Sequence, residues 1–138
     1  MKYLQKNNKP INLGDQLKRN FGHHRAGWNE AVRQLKKIHS PEGLYLDTFV
    51  EFTFIYSKNI KAYEHPWAGI VHVPPEVPED VNFGNSGRDL LKVPEFRESL
   101  ENCRGLFALS EHHAQFLRNE LDVPVETIKH PVDRPTRK

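Results

Sequence analysis

Pro66-Trp67-Ala68-Gly69-Ile70-Val71-His72-Val73 decides the fold. The run is apolar almost throughout and lacks the in-out alternation of a strand that wets one face. That is the composition of a strand covered on both sides, as in parallel sheets flanked by helices. His72 stands near its end. Pro74-Pro75-Glu76-Val77-Pro78 follows as a stiff loop whose prolines donate nothing to a ladder.

Outward from this strand the chain alternates between helix and strand signals. Toward the C-terminus, residues 79–88 (EDVNFGNSGR) have turn composition and no period. They read as a long loop, of a kind that often carries function in a compact domain. Pro94 opens a helix expected to run through Cys103, with Phe96, Leu100 and Cys103 on one face. Gly105–Leu109 (GLFAL) reads as a second buried strand. Ser110 is placed to cap the next helix, and Glu111 lies in its first turn, where a carboxylate suits the positive end of the helix dipole. Ala114, Leu117 and Leu121 form that helix's core stripe. Val123–Ile128 (VPVETI) reads as a third strand with Pro124 near its start, and His130-Pro131-Val132-Asp133 ends it.

Toward the N-terminus, Asp47–Ile60 admits two readings. Val50, Phe52, Phe54 and Tyr56 alternate like a strand, whereas Phe49, Phe52 and Tyr56 fit a helical face that Asp47 is placed to cap. A helix is favoured, because it completes a unit with a short strand at Gly43–Leu46. Trp28, Val32, Leu35 and Ile38 recur at helical spacing between Ala26 and His39, and Ser40-Pro41-Glu42-Gly43 stops that helix. Residues 1–20, rich in Lys, Asn and Gln, read as weakly ordered, with a short helix near Asp15–Asn20.

This alternation predicts an α/β domain with a mostly parallel sheet. Such sheets bind ligands beyond the carboxyl ends of their strands. Three loops meet that rule: His72–Pro78, Ser110–His113 and His130–Asp133. They bring forward His72, Pro74, Pro75, Ser110, Glu111, His112 and His130 as candidate site residues.

Composition narrows the classes. The 138 residues fit one domain, and 14 aromatic side chains are too many for a disordered chain. No apolar run approaches the roughly 20 residues of a membrane span, and the opening MKYLQKNNKPINLGD has no apolar secretory core. A lone cysteine, Cys103, excludes an internal disulfide and a cysteine-based zinc site, and fits the cytoplasm. Charge is lopsided. Residues 1–40 carry nine Lys and Arg against Asp15 and Glu30, a net of +7, while the remainder nets −5. A basic end suits phosphate, whether of a nucleic acid, a sugar nucleotide or an anionic membrane surface, although solvated charge runs are commoner.

Each candidate has an ordinary structural reading beside the functional one. His72 suits hydrogen bonding to a phosphate or sugar hydroxyl, or acid/base work near neutral pH; the ordinary reading is a core histidine bonded to a backbone carbonyl. Ser110 and Glu111 begin a helix whose free N–H groups suit an anion; the ordinary reading is a plain cap. His112-His113 and His23-His24 are adjacent pairs that point about 100° apart on a helix, poor joint ligands, so no metal is expected. Cys103 reads as a buried inert thiol. No nucleophile elbow, P-loop or dinucleotide fingerprint occurs, and Gly84-Asn85-Ser86-Gly87 follows no strand.

Three segments resemble, in order, the N-terminal half of GT-B-fold glycosyltransferases of the group-1-like, retaining type. WAGIVHVPPEVP resembles the family's strand ending in histidine before a proline-bearing loop. CRGLFALSEHHAQFLRNEL resembles its strand, Ser-Glu and helix. VPVETIKHPVD resembles the strand that leaves the domain. Upstream, HHRAGWNEAVRQLKKIH and LYLDTFVEFTF are similar to its opening segments, so the resemblance spans about residues 22–133.

The resemblance implies a Rossmann-like three-layer domain forming one half of a GT-B fold. It divides the chain into a basic segment at 1–21, an acceptor-side domain at 22–133 and a basic tail or linker at 134–138. It implies transfer of a hexose from a nucleoside-diphosphate sugar to a hydroxyl acceptor, without a further cofactor. His72 takes the place of the family's cleft histidine, with Ser110 and Glu111 at the cleft edge. The donor-binding half is expected from a second domain or a partner chain. The rival expectations are a non-catalytic interaction module whose apolar patch is covered by a partner or by self-association, and a nucleic-acid-binding domain using residues 1–40.

Overall fold

The computed structural model describes residues 10–18, 26–76 and 86–129. They group into two compact units. One holds the described residues up to Leu46 together with Lys129, and the other runs from Asp47 to Ile128. The expectations placed on residues 1–9, 19–25, 77–85 and 130–138, the basic tail or linker at 134–138 included, lie outside the described residues.

In the first unit a two-residue strand, β1 (Ile11–Asn12), pairs parallel with β2 (Leu44–Asp47). Helix α1 (Ala26–Leu35) continues into a 3-10 turn, Lys36–Ile38. Leu13, Trp28 and Val32 are buried, and the last two belong to the helical stripe expected from the sequence. The 3-10 turn Gly14–Lys18 falls where the short helix near Asp15–Asn20 is expected, and β1 adds structure that the polar composition of this end does not predict. The reason is local. Asn12 Oδ1 accepts the Gly14 N–H at 2.9 Å, Gly14 takes φ +51°, and His39 Nδ1 accepts the Leu13 N–H at 3.0 Å. A positive φ is a conformation glycine adopts without a Cβ penalty.

The second unit carries β3 (Trp67–Ile70), α2 (Gly87–Leu90), α3 (Pro94–Ser99), β4 (Cys103–Ala108), α4 (Glu111–Glu120) and β5 (Val125–Thr127). β4 lies between β3 and β5, and both pairings are parallel. The register slips by one residue between Trp67 and Ala68, so that Trp67 faces Cys103 and Ala68 faces Gly105. Phe54, Trp67, Phe96, Leu106 and Leu117 are fully buried. Phe54 packs edge-on against Tyr63 and Phe96, and the Trp67 indole N–H donates to the Ser99 carbonyl at 2.7 Å.

Every strand pairing inside the two units is parallel, and helices alternate with strands along the chain. The chain is thus α/β and Rossmann-like, as the apolar strands predict. Among the described residues no helix is long and apolar enough to cross a membrane.

Three local expectations need correction. The helix from Pro94 ends early: Leu100–Asn102 is a 3-10 turn and Cys103 is the first residue of β4, paired with Trp67. Cys103 is buried as expected, but in the sheet, and burial pushes its thiol up to about 11. Ser86 belongs to a helix start and not to a periodless loop. Its hydroxyl accepts the Asp89 N–H while the Asp89 carboxylate accepts the Ser86 N–H, a reciprocal cap. Finally, the helix favoured for Asp47–Ile60 is confined to a short helical stretch ending in the π-helical segment Phe52–Tyr56, and the residues it buries are Phe49, Val50, Glu51 and Phe54 rather than Phe49, Phe52 and Tyr56. Phe52 and Tyr56 are exposed at 41% and 43%. The stretch lies so close to β3 that a Cβ at Gly69 would sit 2.5 Å from a Val50 methyl.

Candidate functional site

Parallel pairing sends the ends of β3, β4 and β5 to one edge of the second unit. Ile70 faces Phe107, and Ala108 faces Thr127. The ladder then closes, with Val71 N–H donating to the Phe107 carbonyl and Ile128 N–H to the Ala108 carbonyl, both at 2.8 Å. His72 and Ser110 therefore leave the sheet at the same edge, within a few residues of the last ladder bonds.

At the β3 end, His72 is held on several sides and is 8% exposed. Its Nε2 lies 2.7 Å from the Thr48 carbonyl, which can only accept, so the ring carries a hydrogen there. The ring stacks on Phe49 with centroids 4.2 Å apart. Its backbone N–H donates to both oxygens of Glu51, at 3.0 and 2.9 Å, and the Val73 N–H donates to Glu51 Oε2 at 2.8 Å. Glu51 is fully buried. Burial raises its pKa to about 7, opposed by the N–H bonds from Val73 and His72 and assisted by the negative charge of Asp47.

Asp47, also fully buried, ends β2 and organises the turn that carries Glu51. Its carboxylate accepts the Phe49 N–H at 2.9 Å, the Thr53 hydroxyl at 2.6 Å and the Tyr63 hydroxyl at 2.7 Å. Asp47 is thus the anchor of a turn, the part expected of it as a cap.

At the β4 end the predicted cap forms. Ser110 Oγ accepts the His113 N–H at 3.1 Å, and α4 begins at Glu111. Glu111 is exposed, yet both its oxygens are engaged. It pairs with Arg118 at 2.6 Å and accepts the Thr127 hydroxyl at 2.8 Å, and these bonds hold its pKa below the usual carboxylate range. His112 is exposed, whereas His113 is buried, and among the described residues its Nε2 has no hydrogen-bond partner. Burial, with His112 beside it, lowers its pKa to about 4, so the ring is neutral near pH 7.

The start of α2 joins the two ends. Gly87 N–H donates to the Pro74 carbonyl at 2.9 Å, and the Arg88 guanidinium lies 5.0 Å from the Phe116 ring of α4. Pro74 is exposed and Pro75 buried. His72, Pro74, Pro75, Ser110, Glu111 and His112 thus all lie at the ends of β3 and β4, while His130 lies outside the described residues. Among the described residues, no group of three His, Cys, Asp and Glu side chains is arranged to hold a metal ion.

Neither Glu51 nor Asp47 is among the site residues that the sequence brings forward. Their signal is nonetheless there: Asp47, Val50, Glu51 and Phe54 follow a spacing of three, one and three, which is the stripe of one helical face. Comparison with protein-family models, with curated proteins and with solved structures finds no match.

Proposed function

We propose that this chain is a glycosyltransferase-like domain, whose second unit forms the acceptor-side wall for moving a hexose from a nucleoside-diphosphate sugar to a hydroxyl acceptor. The reading is supported by the sequence resemblance together with one structural observation: parallel strands deliver His72 and Ser110 to a common edge, where α/β sheets bind ligands. In this reading the start of α4 offers backbone N–H groups to phosphate charge, a role open to a capped helix of ten residues. His72 shapes the wall. With Nε2 bonded to a carbonyl and the ring stacked on Phe49, its part is to position and contact ligand. The donor-binding wall comes from a further domain or a partner chain, since a sugar-transfer site needs both walls to exclude water.

A second reading, an interaction module, draws on the exposed aromatic rings of Phe52 and Tyr56. Calorimetric titration with nucleoside-diphosphate hexoses separates the two. Binding that weakens about tenfold or more in His72→Ala supports the transferase reading. Equal binding by both proteins, or none by the wild type, contradicts it.

A further inference from the structure

Three buried acceptor contacts converge on a single side chain at the end of β3. Both oxygens of Glu51 accept the His72 N–H, and one of them also accepts the Val73 N–H. The same histidine is tied by its ring to the Thr48 carbonyl and stacked on Phe49, three and two residues before Glu51. Backbone and imidazole of residue 72 are thus both gripped by one turn, Thr48–Glu51. Asp47 fixes that turn in place through the Phe49 N–H and the hydroxyls of Thr53 and Tyr63.

We propose that Glu51 is a positioning residue whose protonation state sets how His72 and the loop after it are held. The inference rests on the proposed reading only in treating His72 as a site residue; the clasp itself is independent of any sugar. As a carboxylate, Glu51 accepts on both oxygens. As an acid, it keeps one carbonyl oxygen to accept and turns the other into a donor that needs a new partner. A proton on Oε1 therefore removes one of the two contacts of the His72 N–H, while Oε2, no longer sharing a full negative charge, goes on accepting from both His72 and Val73.

Asp47 acts on Glu51 through its charge and favours the acid. None of the ion pairs among the described residues involves Glu51. The carboxylate is balanced by amide dipoles, an arrangement in which the N–H bonds offset part of the cost of burial. Its burial beside Asp47 places the transition close to neutral pH, where both forms are populated.

The test is a pH series of amide spectra on the full chain, following the His72 and Val73 amide protons between pH 5 and 9. Both are expected to move together with a common midpoint near 7 in the wild type. They are expected to lose that transition in Glu51→Gln, which retains one carbonyl acceptor and cannot titrate. Flat His72 and Val73 amides in the wild type, or an unchanged transition in Glu51→Gln, would overturn the assignment. Should Glu51→Gln fail to fold, direct observation of the Glu51 side-chain carboxyl carbon in the wild type decides: a midpoint matching the two amides supports the clasp, and a different midpoint rejects it. No sugar nucleotide enters these measurements, so the clasp and the transferase reading stand or fall separately.

Discussion

Two glutamates at neighbouring strand ends meet opposite fates. Glu51, whose buried carboxylate reaches from the turn after β2 to the end of β3, accepts from backbone N–H groups there, whereas Glu111, just past the end of β4, is exposed and shares its charge with Arg118 and Thr127. Burial wins at the first and raises the pKa; the Arg118 and Thr127 bonds win at the second and lower it. A carboxylate at a strand end is thus not one kind of feature. Buried, it is a structural clasp that titrates near neutrality; exposed, it is a rim pair of small energetic weight.

The largest expected contrast is in stability. Glu51→Ala leaves the His72 and Val73 N–H groups without their acceptor, at about 1–3 kcal/mol each, less the relief of no longer burying a carboxylate. A net loss of about 2–4 kcal/mol should appear as a lower urea midpoint. Glu111→Ala should leave the midpoint where it is, since its partners are solvated. Equal effects would erase the distinction between the two ends.

Ser110→Ala probes the β4 end more sharply. It removes the acceptor for the His113 N–H and should cost about 1 kcal/mol in the same unfolding measurement. A loss as large as that of Glu51→Ala would mean that the fold depends on the β4 end as heavily as on the β3 end.

The subtlest contrast is the sign of the pH dependence. Glu51 has a folded pKa above its unfolded value, so its contribution is fully present below about 4.5 and is lost as pH rises through about 7. Glu111 has a lowered folded pKa, so its contribution is present above the ordinary carboxylate range and is lost as pH falls through the folded value. Across the interval from the unfolded value of Glu51 to its folded one, Glu51→Gln should therefore flatten a decline in stability with pH. Glu111→Gln should change the slope of stability with pH only in more acidic solution, below that interval.

The same contrast explains what is legible in the sequence. The β4 end is readable because its signals are local: an apolar run, a serine at the boundary, an acidic first turn and a leucine stripe. The helix cap forms at Ser110, Ala114 and Leu117 are buried as the stripe expects, and strands form on either side, the first starting two residues earlier than expected and the second shorter. The β3 strand is equally legible, but its partner is not. Glu51 lies in DTFVEFTFIY, where aromatic rings suggest the buried face and acidic residues suggest solvent. The fold splits this pattern, burying Asp47 and Glu51 beside Phe49 and Phe54 while exposing Phe52 and Tyr56, because backbone N–H groups more than twenty residues from Glu51 supply what water would have supplied.

Short elements escape for a related reason. β1 has two residues and therefore no period, and its turn is set by Asn12, Gly14 and His39 acting together. Cys103 reads as part of a helix face because Phe96, Leu100 and Cys103 keep helical spacing; the 3-10 turn at Leu100–Asn102 ends that periodicity one residue before the cysteine. For the candidate site, His72 illustrates both sides. Its place at the strand end is readable from the apolar run, and its bond to a backbone carbonyl is the ordinary alternative for a histidine in such a run.

The claim that the ends of β3 and β4 form one ligand edge is tested most directly by amide shift mapping with a nucleoside-diphosphate hexose. Perturbations are expected at Val73, Gly87, His112 and His113 together, all saturating with a single dissociation constant. Perturbations confined to residues 10–46, or to one strand end without the other, would contradict it.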